Sequence, residues 1–277
     1  MESPGPRPPP EVQASIQLSS WMFVASSAVL IWDVLNNIVN DWTILFSFNF
    51  RFSVLLYLLT RIASLTYVLG LTIFTTYPMP NCNTAFVVFM SFYPVACLST
   101  SLLFFLRVRA VYSGHRVITI VFGILSFFVF AGTLPVAVGT RAALDPSGMF
   151  CIVTRIPEYV GASGITITIF DTAAFFAISF RLLANSTVEY TRGEKIRAMA
   201  SCGISLPTFS RSLFIDGQKY YMITLVSNLI TLIMVYLPNL SPVYHGMLCI
   251  PNVALTSIMA CRVYRNATLG RLHDPRG

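Results

Sequence analysis

Three ionisable residues lie inside segments that are otherwise apolar, and they are the first candidates for chemistry. Asp33, Arg61 and Asp171 belong to the apolar segments 19–39, 52–74 and 159–180. A charge near the centre of a bilayer costs several kcal/mol unless it is paired or hydrated, so each residue is a functional candidate. We expect an intramembrane polar cluster that binds a ligand, conducts a proton or switches conformation. The alternative is a static ion pair that fixes helix packing.

The acid that pairs with Arg61 stays open at this stage. With 1.5 Å of rise per residue, Asp33 lies roughly 9 Å from the inner membrane face, whereas Arg61 and Asp171 both lie roughly 14 Å from it. A short connection between the first two segments favours Asp33 as the partner. Equal depth favours Asp171.

Two of the six cysteines suggest a covalent link. Cys82 precedes the third apolar segment and Cys151 follows the fourth, so a seven-segment topology puts both on the same, oxidising side. We expect a disulfide that ties the outer end of the third segment to the following loop. Two free thiols are the alternative.

The residue types that most enzyme mechanisms need are scarce. The chain has three histidines, in separate regions, and its only lysines are Lys195 and Lys219. The sequence therefore offers no residues for a histidine-based metal site or for a buried Schiff-base lysine. It also contains no nucleotide-binding, zinc-protease or serine-hydrolase motif. We expect a protein that is not an enzyme and has no cofactor or metal.

The composition indicates a membrane protein. Of 277 residues, 55% are hydrophobic and only 10% are charged, and the mean hydropathy is +0.71. Roughly 20 apolar residues form a helix that crosses a bilayer. Seven such segments are predicted at 19–39, 52–74, 85–106, 117–138, 159–180, 220–240 and 243–260.

The predicted fold is all-α, a polytopic bundle of seven transmembrane helices in one membrane domain, 19–262. A disordered extracytoplasmic tail, 1–18, precedes the domain, and a short cytosolic tail, 263–277, follows it. Within the domain, 181–219 is expected to be a long cytosolic loop. The stretch 42–50 is expected to be an interfacial loop, with a re-entrant element as the alternative.

The distribution of basic residues predicts the orientation. With the N-terminus outside and the C-terminus cytosolic, the inside segments hold 14 of the 18 lysines and arginines, and the outside segments hold 3. Arg107 and Arg109 then close the third segment on the cytosolic face, where they either anchor the helix to phospholipids or contact a cytosolic partner protein. The arginines are spread between apolar segments, so nucleic acid is not an expected partner. Membrane lipids and a small-molecule ligand are the other expected partners, in the plasma membrane or an endomembrane of the secretory pathway.

Five stretches carry a resemblance that spans nearly the whole chain. They are WDVLNNIVNDW (32–42), NFRF (49–52), LLFFLRVRAVY (102–112), DGQKYY (216–221) and MACRVYR (259–265). Together they resemble a large family of multi-pass membrane proteins of mushroom-forming fungi. The resemblance implies an integral membrane protein with about seven helices, sometimes described as receptor-like, and it brings no catalytic residues.

The layout is also similar to that of G-protein-coupled receptors, although the local motifs differ. The third segment ends in Leu-Arg-Val-Arg (106–109) rather than acid-Arg-aromatic, and Pro251-Asn252 has no tyrosine at the expected spacing. We therefore expect a receptor-like or sensor protein. A small-solute or proton-coupled transporter is the first alternative, and a structural membrane protein is the second.

Overall fold

The computed structural model describes residues 10–47, 52–79, 81–112, 115–144, 151–155, 157, 159–185, 208–237 and 242–272. Within these ranges the chain forms nine helices and one two-stranded sheet. The helices are α1 (Pro10–Asn36), α2 (Ile38–Ser47), α3 (Phe52–Thr76), α4 (Cys82–Val111), α5 (Arg116–Gly139), α6 (Val160–Asn185), α7 (Thr208–Tyr236), α8 (Pro242–Met247) and α9 (Cys249–Leu272). The antiparallel strands are β1 (Arg141–Leu144) and β2 (Cys151–Arg155).

Seven of these helices are long and apolar enough to cross a membrane: α1, α3, α4, α5, α6, α7 and α9. Each contains an apolar window with mean hydropathy between 1.3 and 2.4. Large apolar side chains such as Phe127, Val117 and Ile233 are exposed on the outside of the bundle, as expected where lipid rather than water is the solvent. The chain is therefore an all-α, multi-pass integral membrane protein, as the sequence predicted.

The spanning helices pack in a closed ring. Each of them contacts its neighbours in the order α1, α3, α4, α5, α6, α7 and α9, and α9 packs back on α1. Helix α4 additionally contacts α6 and α9, which places it at the centre of the bundle. At Gly70 the α3 backbone approaches the Phe89 ring of α4 so closely that a Cβ would collide with it, which is a common use of glycine between membrane helices.

Two apolar cores lie at opposite ends of the bundle. One contains Phe74, Phe86 and the two cysteines Cys82 and Cys151. The other contains Tyr57, Phe104, Phe170, Tyr221 and Cys261. We call the first the disulfide end and the second the charge-cluster end, for the ionic group described below.

The disulfide end is covered by the β1–β2 hairpin. Cys82, the first residue of α4, is bonded to Cys151, the first residue of β2, with 5.5 Å between their Cα atoms. Strand β1 also packs against α4. The structure thus contains the disulfide that the sequence suggested, and it holds the hairpin on the bundle.

The first helix begins earlier than predicted. Residues 10–18 were expected to be disordered, but α1 begins at Pro10, and residues 1–9 lie outside the described part. Proline is favoured at the first helical position because its fixed φ suits a helix and its missing N–H would be unpaired there anyway. The added turns are held by packing, since α1 contacts α8 and Ser15 and Ser19 are buried.

The prediction of an interfacial loop at 42–50 is wrong over its first two thirds, because α2 continues to Ser47. Only Asn37 interrupts the helix between α1 and α2, and the Asp41 N–H still donates to the Asn37 carbonyl at 2.9 Å. The Asn37 side chain donates to the Asp33 carbonyl at 2.7 Å. Helical hydrogen bonding therefore crosses the interruption, and residues 48–51 lie outside the described part.

The last predicted segment is divided in two. Helix α8 ends at Met247 and α9 begins at Cys249. Pro251 explains the division, because it has no N–H to donate to the carbonyl of Met247, four residues earlier. Helix α9 then continues to Leu272, so the predicted tail 263–277 is helical over most of its length.

The loop predicted at 181–219 is also shorter than expected, since α6 reaches Asn185 and α7 begins at Thr208. Residues 186–207 and 273–277 lie outside the described part.

Candidate functional site: a four-charge cluster and a separate buried aspartate

Four helices bring charged residues together at the charge-cluster end. Asp33 lies in the last turn of α1, Asp41 on α2, Arg61 in the third turn of α3 and Arg265 towards the end of α9. We call these four residues the four-charge cluster. Their side chains are only 15%, 17%, 9% and 5% exposed, respectively, so the charges are largely removed from solvent.

Each acid in the cluster contacts both arginines. Arg61 lies 3.3 Å from Asp33 and 3.2 Å from Asp41, measured between the closest nitrogen and oxygen atoms. Arg265 lies 3.6 Å from Asp33 and 3.8 Å from Asp41 by the same measure. The two negative and two positive charges therefore balance within the cluster.

Tyr57 lies among these charges. Its hydroxyl donates to Asp41 and accepts hydrogen bonds from Arg61 Nε at 3.1 Å and Arg61 Nη2 at 3.0 Å. Arg265 Nη1 also donates to it, at 3.4 Å. The Tyr57 ring stacks on Tyr264 with 5.1 Å between centroids, which fixes the hydroxyl where both guanidinium groups reach it.

The balance between positive and negative charges determines how the cluster affects stability. Desolvation of a buried ion pair can outweigh its attraction, so such a group is weak evidence for net stability. Loss of one member is different, because it leaves a buried charge without compensation and costs about 3–5 kcal/mol. The cluster therefore joins α1, α2, α3 and α9 through ion pairs.

Asp171 lies apart from this cluster, in the middle of α6. It is 4% exposed and accepts a hydrogen bond of 2.5 Å from the Asn228 side chain of α7. The Asn228 carbonyl oxygen accepts from Asn252 of α9 at 2.6 Å, and the Asn252 carbonyl oxygen accepts from Ser227 at 2.6 Å. These four residues form a continuous chain of side-chain hydrogen bonds, which we call the Asp171 network.

The two groups differ in charge compensation. All four ion pairs among the described residues belong to the four-charge cluster, so Asp171 has no cationic partner in that part of the chain. Its hydrogen-bond donor is the neutral amide of Asn228, and the other two members of the network, Asn252 and Ser227, are neutral as well. A buried carboxylate in such surroundings requires a proton or a cation.

Helix α9 contributes to both groups. Asn252 near its start belongs to the Asp171 network, and Arg265 near its end belongs to the four-charge cluster. Between them, Ser257 hydrogen-bonds to Ser64 of α3 at 2.8 Å. From Asn252 to Arg265 is roughly 20 Å along the helix axis, so one rigid element connects the two groups.

The structure separates the three predicted intramembrane residues. Arg61 and Asp33 meet, as the short connection between their segments favoured. Asp171 contacts Asn228 instead of Arg61, so the argument from equal depth was wrong. Similar depth does not bring two residues together when they lie on different sides of the ring.

Sequence reasoning missed Asp41, Tyr57 and Arg265. Asp41 was placed in a connection, and Arg265 was counted among the cytosolic charges. A signal was present, because Asp33 and Asp41 are eight residues apart, which is close to two helical turns. The stretches WDVLNNIVNDW and MACRVYR contain both acids and Arg265.

Arg107 and Arg109 occupy different environments near the end of α4. Arg107 is half-buried, with its guanidinium carbon 5.8 Å from the centroid of the Tyr221 ring. Arg109 is exposed. Within the described ranges, no group of three His, Cys, Asp or Glu residues is arranged to hold a metal ion.

Comparison with known proteins gives no family assignment. No protein-family model matches the chain, and no curated protein matches it significantly.

Proposed function

We propose that this integral membrane protein is a receptor-like sensor that recognises a small cation at Asp171 and transmits the change to its cytosolic face. The single observation that carries the proposal is the sharing of α9 between the Asp171 network and the four-charge cluster. The protein is not an enzyme in this proposal. The resemblance of five stretches to membrane proteins of mushroom-forming fungi supports the same class.

The choice of a cation follows from charge compensation. Arg61 is neutralised by Asp33 and Asp41 and needs no anionic ligand. Asp171 is buried and meets only neutral partners. Because a buried charge costs several kcal/mol when it is alone, a ligand that brings a positive charge gains most at Asp171.

The orientation proposed here has the N-terminus outside and the C-terminus in the cytosol. The excess of lysine and arginine on one side supports it, and so does the disulfide at the opposite end of the bundle, because disulfides persist in oxidising compartments. Arg107, Arg109 and the ends of α6 and α9 face the cytosol, where a partner protein would detect the rearrangement.

The test is a thermal-unfolding screen of the purified protein against matched small molecules. Alkylammonium and arylalkylammonium ions are compared with their neutral isosteres, and sodium with choline. We expect some of the cations to raise Tm by several degrees, since a ligand at 100 times its Kd stabilises the folded state by about 2.7 kcal/mol. Asp171→Asn keeps the size of the side chain and removes the charge, so it should abolish the shift.

Asp41→Asn is the matched control, because it removes an acid that already has two arginine partners. It should lower the starting Tm and leave the cation-dependent shift in place. Spin labels at the exposed residues Arg109 and Arg262, introduced as cysteines, should change their separation when the active cation binds. A cation that stabilises wild type and Asp171→Asn equally would contradict the proposal, and so would binding without any change at the charge-cluster end.

A proton-coupled transporter is the second candidate, and one observation favours it. Polar side chains occur along α9 at Asn252, Ser257 and Arg265, between the Asp171 network and the four-charge cluster. Reconstituted liposomes with a pH-sensitive dye distinguish the two functions. Cation-dependent proton flux that disappears in Asp171→Asn would favour transport, whereas a cation-dependent Tm shift without flux would favour the sensor.

A further inference from the structure

Three arginines at the charge-cluster end lie over tyrosine rings. Arg107 lies over Tyr221, Arg181 over Tyr112 and Arg262 over Tyr220, with 5.3 to 5.8 Å between the guanidinium carbon and the ring centroid. None of them forms an ion pair within the described part of the chain. Stacking on a ring fixes the direction of a guanidinium group and leaves its N–H groups free to donate.

Two donors in this region are buried without a partner. The Tyr221 hydroxyl and Arg181 Nε have no hydrogen bond to any described residue, and Tyr221 is 2% exposed. A buried polar group that is left unpaired costs about 1–3 kcal/mol. The two atoms are therefore places where a ligand that accepts hydrogen bonds would gain free energy.

Helix α4 connects the two groups. It carries Arg107, and Tyr112 directly follows its last residue. The Tyr112 hydroxyl donates to the Ala177 carbonyl of α6 at 2.9 Å, one turn before Arg181. Tyr221 of α7 packs against Phe104 of α4 with 4.8 Å between ring centroids. Helix α4 thus contacts α7 beside Arg107, and the residue that follows α4 contacts α6 one turn before Arg181.

We propose that Arg107 and Arg181, together with the Tyr221 hydroxyl, bind the phosphate of an anionic phospholipid between α4, α6 and α7. The ligand needs several oxygen acceptors and a negative charge, which a phosphodiester provides. The depth of the site in the membrane indicates that the phosphate belongs to a lipid. Arg181 directly follows the apolar segment 159–180, and Tyr221 is the second residue of the apolar segment 220–240, so both lie where the hydrocarbon core meets the headgroups. This site is separate from Asp171 and does not depend on the proposed sensor function.

The test measures lipid binding by native mass spectrometry and thermal unfolding in nanodiscs. We expect phosphatidylglycerol to be retained at least about tenfold better than phosphatidylcholine, because both lipids carry the phosphate but the choline cation of phosphatidylcholine is repelled by the two arginines. The double variant Arg107→Gln/Arg181→Gln should lose this preference. Arg109→Gln is the matched control, because Arg109 lies on the same helix and is exposed, and it should keep the preference.

Tyr221→Phe separates binding from folding. In detergent without lipid it should leave Tm unchanged or raise it, because it removes an unpaired buried hydroxyl. In phosphatidylglycerol nanodiscs it should reduce the lipid-dependent increase in Tm.

Several outcomes would overturn the lipid assignment. One is an equal lipid preference in wild type and the double variant. Another is full stabilisation by inorganic phosphate in detergent, which would assign the site to a soluble phosphate compound. Stabilisation by a poly-glutamate peptide without any lipid preference would assign it to an acidic protein partner instead.

Discussion

Arg61 illustrates at the scale of a single residue how balanced charges fix a membrane bundle. Its guanidinium contacts two acids and a tyrosine hydroxyl, so Arg61→Met leaves Asp33 and Asp41 with only Arg265. We expect this variant to lose about 3–5 kcal/mol of stability, because an uncompensated negative charge stays buried. Thermal unfolding in detergent and the yield of folded, membrane-inserted protein measure the loss.

Second-site variants test whether charge balance is the cause. Arg61→Met/Asp41→Asn restores one acid to one arginine and should recover part of the stability. Arg61→Met/Asp171→Asn should show no recovery, because Asp171 does not contact the cluster and distant sites act additively. Wild-type stability in Arg61→Met alone would show that the cluster is not needed for packing.

The same residues show what the sequence could reveal. Asp33 and Arg61 were found because a charge is conspicuous inside an apolar segment. Asp41 and Arg265 were not found because they lie beyond the ends of the predicted segments, where charges are common. Their ion pairs depend on the relative positions of α1, α2 and α9, and tertiary packing determines those positions.

Helix α2 illustrates the scale of an element, since two inward contacts attach it to the bundle. Asp41 reaches both arginines, and Ile44 is completely buried. We expect Ile44→Ala to loosen the helix, because truncating a buried isoleucine typically costs 2 kcal/mol or more, roughly a 30-fold change in a local opening equilibrium. Hydrogen exchange of the backbone amides of 38–47 should accelerate accordingly, while α4 keeps its protection.

Thr43→Ala is the control for α2, because Thr43 is exposed and its hydroxyl bonds only within its own helix, to the Val39 carbonyl. Its exchange should match that of wild type. Unchanged exchange in Ile44→Ala would mean that the charges of Asp41 alone hold α2 in place.

The elements also differ in how well the sequence predicted them. All seven spanning helices were found, because length and hydropathy are properties of the local sequence. Helix ends were less accurate, as the early start of α1 and the extension of α9 show. The additional helical turns of α1 and α9 have polar sequences that resemble loops. They are nevertheless helical, because packing or continued backbone hydrogen bonding stabilises them.

At the scale of the whole molecule, a disulfide connects elements at one end of the described bundle, and a cluster of ion pairs connects helices at the opposite end. The disulfide attaches the hairpin to α4, and the four-charge cluster joins α1, α2, α3 and α9. Helix α9 connects the cluster to Asp171. In the proposed sensor, a ligand at Asp171 that moved α9 would also change the contacts of Arg265, because both groups share this helix.

The disulfide gives the last prediction, for the double variant Cys82→Ser/Cys151→Ser. The two cysteines are 69 residues apart, and for a loop of that length the chain-entropy model gives about 4 kcal/mol of stabilisation. We expect a smaller loss, about 1–2 kcal/mol, because inserted α4 and α5 already form a helical hairpin before the bundle assembles. Thermal unfolding with and without reductant measures this loss of stability.

Reductant should lower the Tm of wild type to that of the variant and leave the Tm of the variant unchanged. A loss of 4 kcal/mol or more would mean that α4 and α5 do not stay paired without the bond, and that the covalent end, rather than the ionic end, holds the bundle together.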